Sequence, residues 1–110
     1  EEYRCATAIE RNPDVEVWVR NLAHPSQFRF PTATGSSYPD FIAQLKDGRI
    51  FVIEYKGDDR YDHPKNIAKR AVGELWARKY PNGLYLMPRE KDEAGRDIDQ
   101  QIAHAISSNR

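Results

Sequence analysis

The sequence predicts an α/β fold: a mixed sheet flanked by helices. Three observations carry this. Two apolar strand patterns, one opening at Tyr38-Pro39-Asp40-Phe41 and the other closing at Glu54-Tyr55-Lys56-Gly57, face each other across Lys46-Asp47-Gly48. A helix-length stretch then separates this hairpin from a short apolar run, Leu84 to Met87, the arrangement a crossover needs to make a parallel strand pair. Helical patterns stand near both ends of the chain.

The elements follow in order. Glu1 to Arg11 reads as a helix with Ala6 and Ile9 facing inward, ended by Asn12-Pro13-Asp14. Val15, Val17 and Val19 alternate with Glu16, Trp18 and Arg20, as in a strand. A polar connection with His24-Pro25-Ser26 follows, then a short strand at Phe28-Arg29-Phe30 and a flexible loop from Pro31 to Ser37. After the hairpin, residues 57 to 64 form a polar loop. Lys65 to Tyr80 is a helix whose inward stripe is Ile67, Ala68, Ala71, Val72, Leu75 and Trp76, stopped by Pro81-Asn82-Gly83. Lys69 lies near the face of Trp76, where its stem can snorkel. Residues 89 to 96 are a charged loop, and Asp97 to Ser107 is a last helix with Ile98, Ile102 and Ile106 on one side.

The hairpin turn decides what its polar residues can do. A two-residue turn at Asp47-Gly48 would place Asp40 opposite Tyr55 and put Asp40 and Glu54 on different faces. A three-residue turn of Lys46, Asp47 and Gly48, with glycine in the left-handed place, instead pairs Leu45 with Arg49, Phe41 with Ile53 and Asp40 with Glu54. The three-residue turn is the expectation here. Opposed side chains then have Cβ atoms about 4.5–5.5 Å apart, close enough for two carboxylates to share one cation. Lys56, two residues beyond Glu54, shares its face.

Two adjacent carboxylates repel, and burying them costs several kcal/mol unless a cation or hydrogen bonds compensate. Hard oxygen ligands of this kind suit magnesium or manganese. A metal there would polarise a phosphoryl oxygen and acidify a bound water. Lys56 would orient that water, help deprotonate it, or stabilise charge developing on the phosphate. A plain Lys-Glu-Asp salt-bridge cluster at the open end of a hairpin is the competing reading.

With these residues in place, the chain resembles the PD-(D/E)XK nuclease superfamily. It is most similar to the nuclease module at the end of type III restriction subunits and related DEAD/DEAH-box, restriction-type helicases. The matching stretches are Trp18-Val19-Arg20-Asn21-Leu22, Tyr38-Pro39-Asp40-Phe41, Glu54-Tyr55-Lys56-Gly57 and Lys69-Arg70-Ala71-Val72-Gly73-Glu74-Leu75-Trp76. The resemblance implies a restriction-endonuclease-like α-β-β-β-α-β core and a catalytic set of Asp40, Glu54 and Lys56. Its implied metal set is Asp40, Glu54 and Tyr55, joined by an acid from the first helix. Glu2 fits that place best, ahead of Glu10. Lys69 is expected to contact phosphate, with Lys65 and Arg70 beside it. Implied partners are DNA and the remainder of a larger ATP-dependent restriction-type or helicase protein, with a dimer as a possibility.

Length and composition agree with one domain over residues 1–110. The chain has 110 residues, 39% hydrophobic and 31% charged, as expected of a globular chain. No apolar run approaches the roughly 20 residues needed to cross a bilayer, and no basic-then-apolar leader is present, so no membrane is expected. The chain starts with Glu and is read as cut from a longer protein. Cys5 is the only cysteine, which excludes an internal disulfide; a buried Cys5 and a reducing, cytoplasmic setting are expected. Net charge is zero, 17 Lys and Arg against 17 Asp and Glu, which disfavours a strong nonspecific DNA binder but leaves room for a nuclease whose grip comes from elsewhere. Basic residues gather between positions 60 and 80, where a solvated helix face and a phosphate-facing strip are both open readings. His24, His63 and His104 are scattered, so no histidine zinc site is expected, and there is neither a Walker loop nor a serine nucleophile elbow. The leading expectation is a magnesium-dependent endodeoxyribonuclease. The alternative is a catalytically inactive nuclease-like fold that binds nucleic acid or a partner; a third reading is a docking domain using the Trp18 and Tyr61 region.

Overall fold

In a computed structural model, which describes residues 2–22, 24, 27–32 and 35–109, the expected order of elements is present. Helix α1 (Glu2–Arg11) is followed by β1 (Val15–Arg20), a small hairpin of β2 (Phe30–Thr32) and β3 (Gly35–Ser37), and the main hairpin of β4 (Phe41–Leu45) and β5 (Ile50–Ile53). Helix α2 (Pro64–Lys79), strand β6 (Gly83–Leu86) and helix α3 (Ile98–Ser108) complete the chain. The main sheet has the order β1-β4-β5-β6; β1 and β5 are each antiparallel to β4, and β6 is parallel to β5. Setting aside the β2–β3 pair, this is an α-β-β-β-α-β order with a mixed sheet, followed by α3. No helix among the described residues is long and apolar enough to cross a membrane.

One face of the sheet carries the core. Cys5, Ala8 and Ile9 of α1 and Ile98, Ile102, Ala105 and Ile106 of α3 pack on Phe41, Ala43, Leu45, Phe51, Ile53 and Leu84. The expected inward faces of α1 and α3 are thus largely present, although Ala6 is only half-buried and Cys5 and Ala8 lie deeper. Asp97 caps α3 through a reciprocal box with Gln100. The buried Arg49 guanidinium donates to the Ile106 carbonyl at 3.2 Å, placing a cation at the negative C-terminal end of that helix.

The main turn takes the three-residue form. Phe41 pairs with Ile53, the Leu45 amide donates to the Arg49 carbonyl at 2.8 Å, and Gly48 has a φ of +93°. A Cβ at Gly48 would meet nothing within 4 Å, so only backbone strain opposes a side chain there. Gly48→Ala is therefore expected to lower stability by about 1–2 kcal/mol while keeping the hairpin register. Urea unfolding measures this, and an unchanged midpoint would contradict a left-handed Gly48.

Helix α2 departs from expectation. Ile67 and Leu75 are each 46% exposed, and Ala68 and Ala71 are also exposed, so the supposed inward stripe largely faces out. The helix buries Asn66 and Gly73 instead. A Cβ on Gly73 would sit 2.4 Å from the Tyr85 ring. The bare glycine backbone lets α2 lie directly on β6, and that contact fixes the rotation of the helix. Trp76 is half-buried rather than core, stacked edge-on with Phe28 and Phe30. Three smaller differences come earlier in the chain. Phe28 and Arg29 lie outside the short strand, and the supposed loop after Pro31 contains β3; residues 33 and 34 lie outside the described residues. In β1 the register shifts between Val15 and Val17. Trp18 therefore turns towards Phe41, while Val17 and Val19 point to solvent.

Candidate functional site

The ends of β1, β4 and β5 and the first turn of α1 meet at one end of the sheet. The β4–β5 register, carried one step beyond Phe41↔Ile53, sets Asp40 opposite Glu54. The β1–β4 register pairs Arg20 with Phe41, and the Asn21 amide donates to the Asp40 carbonyl at 2.7 Å, so Arg20 borders Asp40. The Glu54 and Lys56 amides donate to Leu86 and Pro88 of the β6 side. Strand alternation then aims the Tyr55 amide the other way, where β4 has already ended. The Asp40 side chain takes the place of the missing strand, its Oδ2 accepting the Tyr55 N–H at 2.9 Å.

The Glu2 carboxyl lies close enough to Asp40 to act on it, as a hydrogen-bonding neighbour and as a charge. Burial, then the Glu2 hydrogen bond and charge, push the Asp40 pKa up to about 7; the Tyr55 amide opposes this, and the Glu54 charge adds to it. Glu2 goes the other way. Burial raises it, but the hydrogen bonds to Asp40 and Arg20 and the charges of Arg20 and Lys56 together hold it below the usual carboxylate value. The Arg20 Nη2 stands 2.8 Å from the Glu2 Oε2. Of the two, Asp40 is thus the acid that holds its proton to higher pH, and Glu2 the one that ionises first. Glu10, the weaker first-helix candidate, accepts the Trp18 indole N–H at 2.7 Å and so points elsewhere.

Glu54 is only 3% exposed, and its partners are loose: the Lys56 ammonium at 3.5 Å and the Tyr85 hydroxyl at 3.5 Å. A buried carboxylate with long contacts alone is under-satisfied. Burial, then the Glu54 charge, raises the Tyr85 hydroxyl pKa in turn. Among the described residues no three His, Cys, Asp or Glu side chains converge tightly enough to hold an ion as they stand. Glu2–Asp40 and Glu54–Lys56 are two neighbouring pairs rather than one cage. Their hard oxygens, one proton-bearing and one short of hydrogen bonds, still suit a cation of the magnesium type.

The remaining sequence candidates divide. Tyr55 supplies the backbone amide just described. Lys65 is exposed in the first turn of α2, and its amide is capped by the His63 imidazole at 3.2 Å. Lys69 is half-buried and makes no ion pair among the described residues. Arg70 is not a free surface cation: its Nη1 donates to the Tyr61 carbonyl at 3.2 Å and to the Met87 sulfur at 3.5 Å. Cys5, beneath the site, is fully buried; burial first, then the Asp40 charge, pushes its thiol up to about 12, so it is no nucleophile.

Three residues of the site were given no role from the sequence, although Arg20 and Asn21 lie in one of the matching stretches. Arg20 holds Glu2. Asn21 is buried and donates to the Phe28 and Pro39 carbonyls at 2.8 and 2.9 Å, fixing the approach to Asp40. Tyr85 holds Glu54. Arg20 and Asn21 end a strand beside Pro-Asp, a signal that gains meaning only once β1 is paired with β4; Tyr85 carries none. Comparison with known proteins finds no matching family model, no matching curated protein and no matching solved structure, so the reading of this site rests on its own residues.

Proposed function

We propose that this chain is the nuclease module of a larger restriction-type helicase and hydrolyses DNA phosphodiester bonds with magnesium or manganese. The observation that carries the reading is the placement of Asp40, pinned by the Tyr55 amide beside Glu2, opposite the buried, under-satisfied Glu54 with Lys56 at its side. Asp40, Glu54 and Glu2 would hold the cation, next to the Tyr55 backbone. When bound, the metal supplies charge for the phosphoryl oxygen and acidity for a water. The protein does the rest. Tyr55 fixes the Asp40 carboxylate, and Arg20 holds Glu2 in its charged form. Asp40 must give up its proton to take a metal, so cation affinity should rise with pH until about 7 and then level. Lys56, anchored by Glu54, faces the phosphate to orient the attacking water and offset developing negative charge.

Plasmid nicking by the purified chain with magnesium, manganese or EDTA tests the reading. Metal-dependent nicking that falls about a hundredfold or more in Lys56→Ala is expected. A folded chain without nicking in either metal, even with the rest of its parent protein present, would sink it. The second reading, a non-cleaving binding module, draws on the exposed Ile67, Ala71 and Leu75 of α2, one helix face open to a partner.

A further inference from the structure

Tyr61, in the loop between β5 and α2, carries two cations on one ring. The guanidinium carbon of Arg70 lies 4.0 Å from the ring centroid and that of Arg89 lies 4.2 Å from it. Each contact is favourable by itself, but the two charges repel. Among the described residues no carboxylate lies within ion-pair distance of either. By contrast, Arg4, Arg11, Arg20, Arg49 and Arg96 each have a carboxylate partner. The Arg89 Nε is buried and has no acceptor among the described residues. A half-buried guanidinium pair with no carboxylate partner is costly for a fold and well made for an anion.

The pair also lies beside the candidate site. The Arg70 charge acts on the Tyr85 hydroxyl, which touches Glu54. Arg89 directly follows Pro88, whose carbonyl accepts the Lys56 amide. We infer that Arg70 and Arg89, spaced by Tyr61, form a phosphate-binding clamp for the strand that passes Glu54 and Lys56. The identity of the ligand as nucleic acid rests on the nuclease reading; the preference for phosphate rests on the guanidinium chemistry, whose planar fork matches phosphate oxygens. Arg89 is thereby a strand-binding residue, and Tyr61 a positioning residue.

The test is to follow arginine side-chain N–H signals by NMR in the full chain carrying Lys56→Ala, in EDTA, on adding a short single-stranded DNA or inorganic phosphate. Saturable movement of the Arg70 and Arg89 signals is expected with both ligands. Arg89→Gln should weaken DNA binding about tenfold and lower the salt dependence, whereas Arg78→Gln should change little. Unmoved signals would overturn the clamp, as would an Arg89→Gln variant that loses melting temperature but keeps its DNA affinity. The two readings fail separately. Unmoved arginines, with metal-dependent nicking by the unmutated chain, sink the clamp alone, while moving arginines with no nicking in the plasmid test, even with the rest of the parent protein present, sink the nuclease reading and retain a phosphate site.

Discussion

Asp40→Asn is expected to abolish metal-dependent cleavage while stabilising the metal-free protein at pH 8. The asparagine keeps the shape: its oxygen still accepts the Tyr55 N–H, and its amide donates to the charged Glu2. It cannot ionise, so it offers a cation no charge. Several kcal/mol of charge stabilisation are then lost, a fall in rate of about a hundredfold or more. The stability effect follows from the sign of the shift. Asp40 titrates near 7 in the fold against an ordinary 3.8, so the folded state holds a proton that the unfolded chain releases. Its stabilising contribution is complete below pH about 4 and is lost as pH rises through about 7. The full shift corresponds to about 4 kcal/mol, which partial solvent exposure reduces to about 1–2 kcal/mol. Urea unfolding in EDTA at pH 5 and pH 8 measures it. The variant should gain on the wild type at pH 8 and gain less at pH 5. A variant less stable at both would mean that Asp40 is an ordinary structural carboxylate.

Gly73→Ala is expected to destabilise the fold, although alanine is the better helix former. Helix propensity favours the change by about 1 kcal/mol. Against it, the new methyl would stand 2.4 Å from the Tyr85 ring. That ring cannot swing away freely: it packs edge-on to Phe30 at 5.9 Å, and its hydroxyl reaches Glu54. Overpacking of this kind costs about 1–3 kcal/mol, so the net loss should be about 1–2 kcal/mol, and larger for Gly73→Val. Because Tyr85 is the link to Glu54, cleavage should fall as well. Thermal unfolding and nicking of both variants check this, and a more stable Gly73→Ala would show that α2 does not rest on β6 as described.

How much of this was legible depends on the range of the interaction. The hairpin register was half readable: Gly48 fits a two-residue or a three-residue turn, the three-residue one was expected because it sets Asp40 opposite Glu54, and the structure has that form. The inward faces of α1 and α3 were readable because their apolar residues repeat at helical spacing. The same rule failed for α2, where Ile67, Ala71 and Leu75 make an equally regular stripe that faces out. Hydrophobicity was outweighed there by close approach, since only the glycine face can reach Tyr85. In β1 an irregular register turned Trp18 inward and Val17 and Val19 outward, which simple alternation does not foresee.

By itself the sequence determined the fold class and the order of the main elements, and narrowed the hairpin to two registers, because each follows from local periodicity and turn chemistry. Only the tertiary structure decided which acid joins Asp40, since Glu2 and Glu10 both lie on α1 and only packing sends one to Asp40 and the other to Trp18. It also decided where charge goes unpaired. The raised Asp40 pKa, the under-satisfied Glu54 and the two arginines on Tyr61 arise from burial and from neighbours distant in the chain. Electrostatic energy depends on distance and solvent exposure in three dimensions, and neither is written in residue spacing.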